Sequence, residues 1–268
     1  MNRISRAFEG KKALITFVTG GDPDVETTEA LILGMAEAGA DVVEIGIPFS
    51  DPIAEGIVIQ EADERALKAG CTVDRLFEMV KGVRRKVDIP LLFMTYVNPI
   101  FAYGKERFME RCADCGIDGV IVPDLPFEEK GELTDECARN GISQISLIAP
   151  TSRERIELIA KGAEGFLYCV SSLGVTGVRG KLGSDAAEMV RQAKKVTSIP
   201  CAVGFGISTP EQARDMAAVS DGVIVGSAIV RLVAKYGRGC IPEVKRFVGE
   251  LKVAMESKGP AKDIARPE

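Results

Sequence analysis

Residues 41–52 read DVVEIGIPFSDP, a run of apolar and β-branched residues that ends in a polar turn with two prolines. A short run of this kind is typical of a strand in a parallel sheet that is covered on both faces. The interior of the run holds one carboxylate, Glu44. The segment therefore predicts a buried strand that leads into a functional loop.

Burial would make Glu44 an unusual carboxylate. Desolvation disfavours the charged form and raises the pKa of a carboxyl group, so that the group can hold a proton near neutral pH and act as a general acid or base. Two other interpretations stay open from the pattern alone. Glu44 could form a structural ion pair with a lysine or arginine, or it could point to the exterior of the sheet.

Seven further apolar runs resemble this one, and amphipathic helical patterns separate them. The eight predicted strands cover Ala13 to Val18, Val42 to Ile47, Pro90 to Tyr96, Gly119 to Val122, Gln144 to Ile148, Gly165 to Val170, Pro200 to Val203 and Gly222 to Val225. Eight βα units in a chain of 268 residues predict a single α/β domain, a closed (β/α)8 TIM barrel. A doubly wound open sheet is the alternative.

The domain prediction places the barrel at residues 1–256, with an extra helix before the first strand, and a polar, disordered tail at 257–268. Two connections from strand to helix are unusually long, Phe49 to about Gly70 and Ser171 to about Ser184. Loops of this kind lie on the catalytic face of a barrel. The first contains Pro52 to Ile59, which is apolar for an exposed loop and indicates a contact surface.

The composition excludes several kinds of site. The chain has no histidine, which removes Ser-His-Asp sites, Cys-His sites and His-ligated metal sites. The seven cysteines are scattered and odd in number, which predicts free thiols. A net charge of −5 argues against nucleic acid as a partner. No signal-like or membrane-spanning apolar stretch is present, so we expect a cytoplasmic protein without a metal or membrane partner.

Three glycine-rich turns follow predicted strands six, seven and eight. They are GVTG at 174–177, GFGIS at 204–208 and GSAI at 226–229. Glycine lets backbone N–H groups approach an anion, and a short helix after Ser227 would direct the positive end of its dipole to the same place. Barrels often bind phosphate there. The alternative is that these glycines only close tight turns.

The chain resembles the family of tryptophan synthase α subunits. The resemblance covers nearly the whole chain and rests on segments that occur in order: FVTGGDP at 17–23, EIGIPFSDP at 44–52, GVTG at 174–177 and VGFGI at 203–207. It implies a barrel enzyme that cleaves indole-3-glycerol phosphate, by a retro-aldol step, to indole and glyceraldehyde 3-phosphate. It also implies an αββα complex with a pyridoxal-phosphate β subunit that receives the indole, and no cofactor in this chain.

The same resemblance implies roles for individual residues. Glu44 would protonate C3 of the indole ring and then help to remove a proton from the glycerol hydroxyl. The second carboxylate of the family, an aspartate in an Ala-Asp-Gly-Pro motif, is Glu55 here, because residues 54–57 read AEGI. The remaining implied contacts are Phe17, Tyr96, Tyr168 and Phe205 around the indole, Gly177, Gly206, Gly226 and Ser227 around the phosphate, and Thr176 in a closing loop.

Glu55 departs from the family motif by one methylene group. A misplacement of about 1 Å in an active site can cost ~10²-fold in rate. Three interpretations of function therefore stay open. The chain is a working lyase subunit, a weakly active or inactive subunit that mainly binds and activates its β partner, or a stand-alone lyase that releases indole.

Overall fold

The computed structural model describes residues 2–152, 154–170, 179–204 and 206–257, with the backbone alone for 179–184. Within these residues, eight parallel strands form a closed barrel in chain order. The strands are β1 Ala13–Thr19, β2 Val42–Gly46, β3 Leu91–Met94, β4 Gly119–Ile121, β5 Ser143–Ile148, β6 Leu167–Val170, β7 Cys201–Gly204 and β8 Gly222–Val225. Because β1 pairs with both β2 and β8, the sheet has no edge. This confirms the (β/α)8 TIM barrel and excludes the open sheet.

The described residues also form twelve α-helices. They are α1 Arg3–Ala7, α2 Val25–Glu37, α3 Ile57–Lys68, α4 Val73–Arg84, α5 Val97–Tyr103, α6 Lys105–Cys115, α7 Gly131–Asn140, α8 Ile156–Lys161, α9 Arg179–Lys194, α10 Pro210–Ala217, α11 Ser227–Tyr236 and α12 Ile241–Glu256. Polar side chains fix several of the starts. Asp24 accepts a hydrogen bond from the Thr27 N–H at 2.7 Å, and Thr209 accepts one from the Gln212 N–H at 3.3 Å.

The predicted N-terminal helix is α1, and it packs against the interior of the barrel. Ile4 and Ala7 are buried in the same apolar cluster as Ile15 of β1 and Val42 of β2. The opposite face of α1 is polar, and Arg3 donates a hydrogen bond to Asp88 at 2.7 Å. The helix therefore fills one end of the barrel with apolar side chains and attaches its exposed edge by ion pairs.

The direction of Glu44 follows from the alternation of side chains along β2. Val42 belongs to the cluster inside the barrel, whereas Val43 and Ile45 belong to the cluster between the strands and the surrounding helices. Successive side chains of a strand point to opposite faces. Glu44 therefore points into the barrel, which excludes the interpretation that it faces the exterior.

Both predicted long loops are shorter than expected. Most of the segment from Phe49 to Gly70 is helix α3, so its irregular part ends at Gly56. The other prediction, from Ser171 to Ser184, is wrong at its end, because α9 begins at Arg179 without an apolar pattern to mark the start. Residues 171–178 lie outside the described residues, as does the predicted tail from 258 to 268. The domain boundary there stays a prediction.

The cysteine side chains lie in the apolar clusters of the protein. All seven cysteines are buried and none forms a disulfide, which confirms the prediction of free thiols. Across the described ranges, no helix combines the length and hydropathy that crossing a membrane requires. The same part of the chain contains no group of three cysteine, aspartate or glutamate side chains arranged to hold a metal ion.

Candidate active site

Glu44 is fully enclosed at the centre of the site, with 0% of its side chain exposed. Its neighbours across the sheet are Phe17 of β1 and Leu92 of β3. Neither of its oxygens has a hydrogen-bond partner among the described residues, so the structure does not support a structural ion pair. Burial raises the pKa of Glu44 to about 8. At neutral pH Glu44 therefore holds a proton, as a general acid must.

Two aromatic rings lie inside the barrel at the level of Glu44, and both are buried. The ring of Phe17 reaches to 2.7 Å from the place that a Cβ on Gly46 would occupy. The hydroxyl of Tyr168 lies 2.8 Å from the corresponding place on Gly204. Burial and then the Glu44 carboxylate raise the pKa of Tyr168, so these two groups lie close enough inside the barrel to interact electrostatically. The glycines leave room for rings around the proton donor.

Tyr96 connects this interior to the loop after β2. It is buried at the start of α5, and its hydroxyl accepts a hydrogen bond from the Ala54 N–H at 3.0 Å. Its ring lies 5.4 Å from the ring of Phe49, measured between centroids. Tyr96 therefore contacts both ends of the segment 49–54, which leads to Glu55. Its predicted contact with indole stays a prediction.

Glu55 lies in this loop and forms a side-chain hydrogen bond with Asp63 of α3. Asp63 is only 4% exposed, and it also accepts a hydrogen bond from the Phe49 backbone N–H. Burial, followed by the charge of Glu55, raises the pKa of Asp63 to about 9. Burial also raises the pKa of Glu55, whereas its hydrogen bond with Asp63 opposes that shift. The second acidic position is thus a pair of carboxyl groups.

Asp63 is a site residue that the sequence analysis missed. The buried positions of α3 are Ile59, Ala62, Asp63 and Ala66, which recur at the spacing of one helical face. A carboxylate in this stripe is as exceptional as Glu44 is in β2. The helical spacing of the buried positions in residues 57–68 indicates a helix with Asp63 on its buried face. The sequence analysis instead predicts a long loop over this segment.

A separate ion pair lies beside the carboxyl pair. Arg65 of α3 donates two hydrogen bonds to the buried Asp22, each at 2.8 Å. A bidentate contact of this geometry uses two parallel N–H groups on one edge of the planar guanidinium. Among the described residues no lysine or arginine forms a salt bridge with Glu55 or Asp63. The carboxyl pair is therefore held by a proton and by backbone groups instead of by a cation.

The predicted phosphate corner is described in part. Gly226 lies at the N-cap of α11, and Ser227 is the first residue of that helix. The first turn of a helix has N–H groups without intrahelical partners, and Gly226 has no side chain that could cap them. Gly206 adopts φ +76° with open space around its Cα. Thr176, Gly177 and Phe205 lie outside the described residues, so their predicted contacts stay predictions.

The enclosed position of Glu44 predicts a pH-dependent effect on stability. Its folded-state pKa is raised, so the folded protein binds this proton more tightly, and stability falls as pH rises from about 4.5 towards about 8. Glutamine cannot titrate. Between pH 5 and pH 9, we expect the unfolding free energy of the wild type to fall by about 3 to 5 kcal/mol more than that of Glu44→Gln. Urea denaturation at both pH values measures this.

The exposed Glu64→Gln on α3 is the matched control, and its difference from the wild type should not change by this amount. The same difference between Glu44→Gln and the wild type at both pH values would show that Glu44 is not a desolvated carboxyl group.

The chain is similar, in sequence and in structure, to known proteins of one family. The sequence profile described as "Tryptophan synthase alpha chain" matches residues 5–257. A tryptophan synthase alpha chain of Thermoanaerobacter sp. (strain X514) is 48% identical over 259 residues, which are 94% of this chain and 99% of that protein. The crystal structure of tryptophan synthase subunit alpha from Legionella pneumophila str. Paris superposes with a TM-score of 0.87 at 36% identity, over 95% of this chain and 98% of that one.

A second similar structure concerns the mutual activation of the tryptophan synthase a2b2 complex from a hyperthermophile, Pyrococcus furiosus. Its matching chain superposes with a TM-score of 0.84 at 39% identity, over 91% of this chain and 99% of that chain. These chains share the length of the present one almost completely, so the likeness extends over the barrel as a whole.

Proposed function

Because the chain belongs to the family of tryptophan synthase alpha chains, we propose that it cleaves indole-3-glycerol phosphate to indole and glyceraldehyde 3-phosphate. The observation that carries the chemistry is Glu44, an enclosed carboxyl group that keeps its proton at neutral pH. A retro-aldol cleavage of this substrate needs a proton for C3 of the ring, and later a base for the glycerol hydroxyl. One carboxyl group that titrates near neutral pH serves both steps.

In the first step Glu44 transfers its proton to C3 of the indole ring, and positive charge develops at the ring nitrogen. The Glu44 carboxylate then accepts the proton of the hydroxyl group on the adjacent glycerol carbon. As that O–H bond breaks, the carbon becomes an aldehyde, and the electron pair of the carbon–carbon bond returns to the ring. Indole leaves, and Glu44 has recovered its proton.

Glu55 supplies the second charge. A carboxylate beside the ring N–H stabilises the positive charge that protonation of C3 produces, and such preorganised charge is effective in a site that excludes water. Glu55 is half-buried and one of its oxygens, Oε2, receives no hydrogen bond from a described N–H or hydroxyl group. A carboxylate has two acceptor oxygens, so Glu55 can accept a hydrogen bond from the ring N–H with one of them while the other meets Asp63.

The remaining site residues position the substrate. Phe17 and Tyr168 are apolar walls for the indole ring, and Tyr96 and Phe205 complete the proposed pocket. Gly226 and Ser227, at the start of α11, bind the phosphate through backbone N–H groups and a hydroxyl, and Gly177 and Gly206 add to that corner. Thr176 belongs to a loop that closes over the substrate. No step of this reaction requires a cofactor in this chain.

The partner of the chain is the tryptophan synthase beta subunit, in an αββα complex that carries pyridoxal phosphate on its beta subunits. The exposed apolar residues beside Glu55 support a contact at this loop, because Ile53 is 80% and Ile57 is 64% exposed. A partner that packs on these residues also restricts the loop that carries Glu55. The unpaired cysteines favour the cytoplasm as the compartment.

The test of this function is indole release from indole-3-glycerol phosphate by the chain alone and with its beta subunit. We expect the two subunits to co-elute at micromolar concentration and the rate of indole release to rise at least tenfold in the complex. The physical reason is that the partner orders the loop that carries Glu55 and completes the closed site. Coupling of the two subunits is reciprocal for binding, so a glycerol-phosphate analogue should tighten the complex.

A pair of matched variants locates the contact. Ile53→Asp should weaken co-elution, whereas Val253→Asp on α12, where the wild-type residue is 69% exposed, should not. Indole release that is unchanged by the beta subunit, without co-elution, would favour the stand-alone lyase. Co-elution without indole release would favour the subunit that only activates its partner.

A further inference from the structure

Asp63, the partner of Glu55 in the carboxyl pair, has no role in the reaction as described so far. We propose that Asp63 is a positioning residue, whose carboxyl group donates a hydrogen bond to Glu55 and holds Glu55 beside the indole nitrogen. This inference rests on the proposed function, because it assigns Glu55 the charge that stabilises the protonated ring. Asp63 itself acts through Glu55.

The hydrogen bond between the two groups requires a proton. An ionised carboxylate only accepts hydrogen bonds, so two ionised carboxylates cannot form one. Of the two groups, Asp63 is the more enclosed, whereas Glu55 lies in a loop and is half-buried. The proton therefore resides on Asp63, and Glu55 keeps the negative charge that the reaction uses.

The surroundings of Asp63 favour its protonated form. Burial and then the negative charges of Glu55 and Asp22 raise the pKa of Asp63, and the charge of Arg65 is engaged by Asp22 in the bidentate ion pair. Helix α11 packs against α3, and the charged residues Arg231 and Lys235 on α11 are exposed. Burial first, and then the charges of Glu55 and Asp63, raise the pKa of Tyr96.

The length of Glu55 suits this arrangement. The side chain of Gln60 donates a hydrogen bond to the Glu55 carbonyl at 2.8 Å, which holds the backbone of Glu55 over the start of α3. Asp63 lies about two turns further along the same helix. With its backbone held there, the side chain of residue 55 must extend along α3 to reach Asp63. Glutamate is one methylene longer than aspartate, so the longer side chain of Glu55 and the buried Asp63 form one unit.

Two substitutions of Asp63 separate positioning from a structural role. In Asp63→Asn the amide nitrogen can still donate to Glu55, and the amide oxygen can still accept from the Phe49 N–H. In Asp63→Ala both hydrogen bonds are lost. For the complex with the beta subunit, we expect Asp63→Ala to lower kcat for indole release about tenfold with little change in KM, and Asp63→Asn to stay within threefold of wild type.

The pH profile gives a readout that a structural role would not change. Above about pH 9 Asp63 loses its proton, and the pair becomes two adjacent charges that repel, so Glu55 loses its position. The Glu44 carboxyl also deprotonates, near pH 8, and lowers the rate. Above pH 9, we expect the fall of the wild-type rate to depend on the loss of two protons, one from Glu44 and one from Asp63. The fall of the rate of Asp63→Asn should depend on the loss of one proton, that of Glu44.

A double substitution and two controls complete the experiment. In a Glu55→Gln background, Asp63→Ala should cause no further loss of kcat, because there is no charged side chain left to position. Glu64→Gln, on the exposed face of α3, should leave rate and profile unchanged. Thermal melting of each variant identifies loss of fold, and the Asn variant, which keeps both hydrogen bonds, carries the test if Asp63→Ala unfolds.

The inference is overturned if Asp63→Ala and Asp63→Asn both keep the wild-type rate and pH profile. It is also overturned if Asp63→Ala lowers kcat equally in the Glu55→Gln background, since Asp63 would then act independently of Glu55. For a folded Asp63→Asn, an alkaline limb that still falls with two protons excludes the role. A wild-type complex that releases no indole overturns the proposed function and this role together, whereas an active wild type leaves the proposed function standing.

Discussion

Replacing Glu44 with glutamine is expected to lower indole release by ~10² to 10⁴-fold, and more if both proton transfers depend on it. Glutamine has nearly the same shape as the protonated acid, but it cannot transfer a proton. The site is enclosed, and neither oxygen of Glu44 has a hydrogen-bond partner among the described residues, so no described group is hydrogen-bonded to Glu44 and ready to take over its proton transfer. Steady-state indole release by the complex with the beta subunit measures the loss.

Binding of a non-cleavable glycerol-phosphate analogue is the control for this prediction. Because the substitution preserves shape, its Kd should remain within about threefold of the wild-type value, so that the loss falls on kcat. Turnover within threefold of wild type would remove Glu44 from the chemistry. A large loss of analogue binding would instead show that Glu44 mainly shapes the pocket.

Replacing Glu55 with aspartate, the residue of the family motif, is expected to lower indole release by ~10²-fold. The shorter side chain moves the carboxylate by about a bond length and cannot reach Asp63, and a shift of about 1 Å can have this effect. The sequence alone permits the opposite outcome, in which aspartate corrects a misfit. The hydrogen bond between Glu55 and Asp63 favours the loss of rate, because it is the longer side chain that meets Asp63.

The measurement is kcat and KM for indole release by Glu55→Asp, compared with Glu55→Gln in the same complex. Glutamine keeps the length and removes the charge, so the two variants separate reach from charge. An increase in kcat for Glu55→Asp would show that Glu55 is a misfit. No change for either variant would place Glu55 outside the site and make the motif correspondence wrong at this position.

Most of the barrel was predictable because its strands are enclosed on both faces. Runs such as Val42 to Ile47 are apolar at nearly every position, and this pattern survives in the sequence without knowledge of any neighbour. Strand ends were less predictable. The third strand was expected at Pro90 to Tyr96 but covers Leu91–Met94, because Tyr96 is the N-cap of α5, a helix that the local pattern did not indicate.

The predicted phosphate helix was correct in place, since α11 begins at Ser227 directly after the glycine turn. The loop after β2 was not, because residues 57–68 form α3. The turn residues of 49–56 marked the loop correctly, but the helical stripe that follows them mixes Asp63 with alanines. A carboxylate on the buried face of a helix disguises the apolar periodicity by which such helices are identified.

By itself, the sequence determined the closed barrel, the family and the exceptional place of Glu44. Hydrophobic periodicity, chain length and the order of motifs can all be read from the chain without knowing which residues meet after folding. Only the tertiary structure decided which way Glu44 points, that no described cation pairs with it, and that Glu55 meets Asp63. The reason is physical. The pKa of a carboxyl group depends on solvent exclusion and on charges brought near by folding. The sequence of a single strand or helix predicts neither of them.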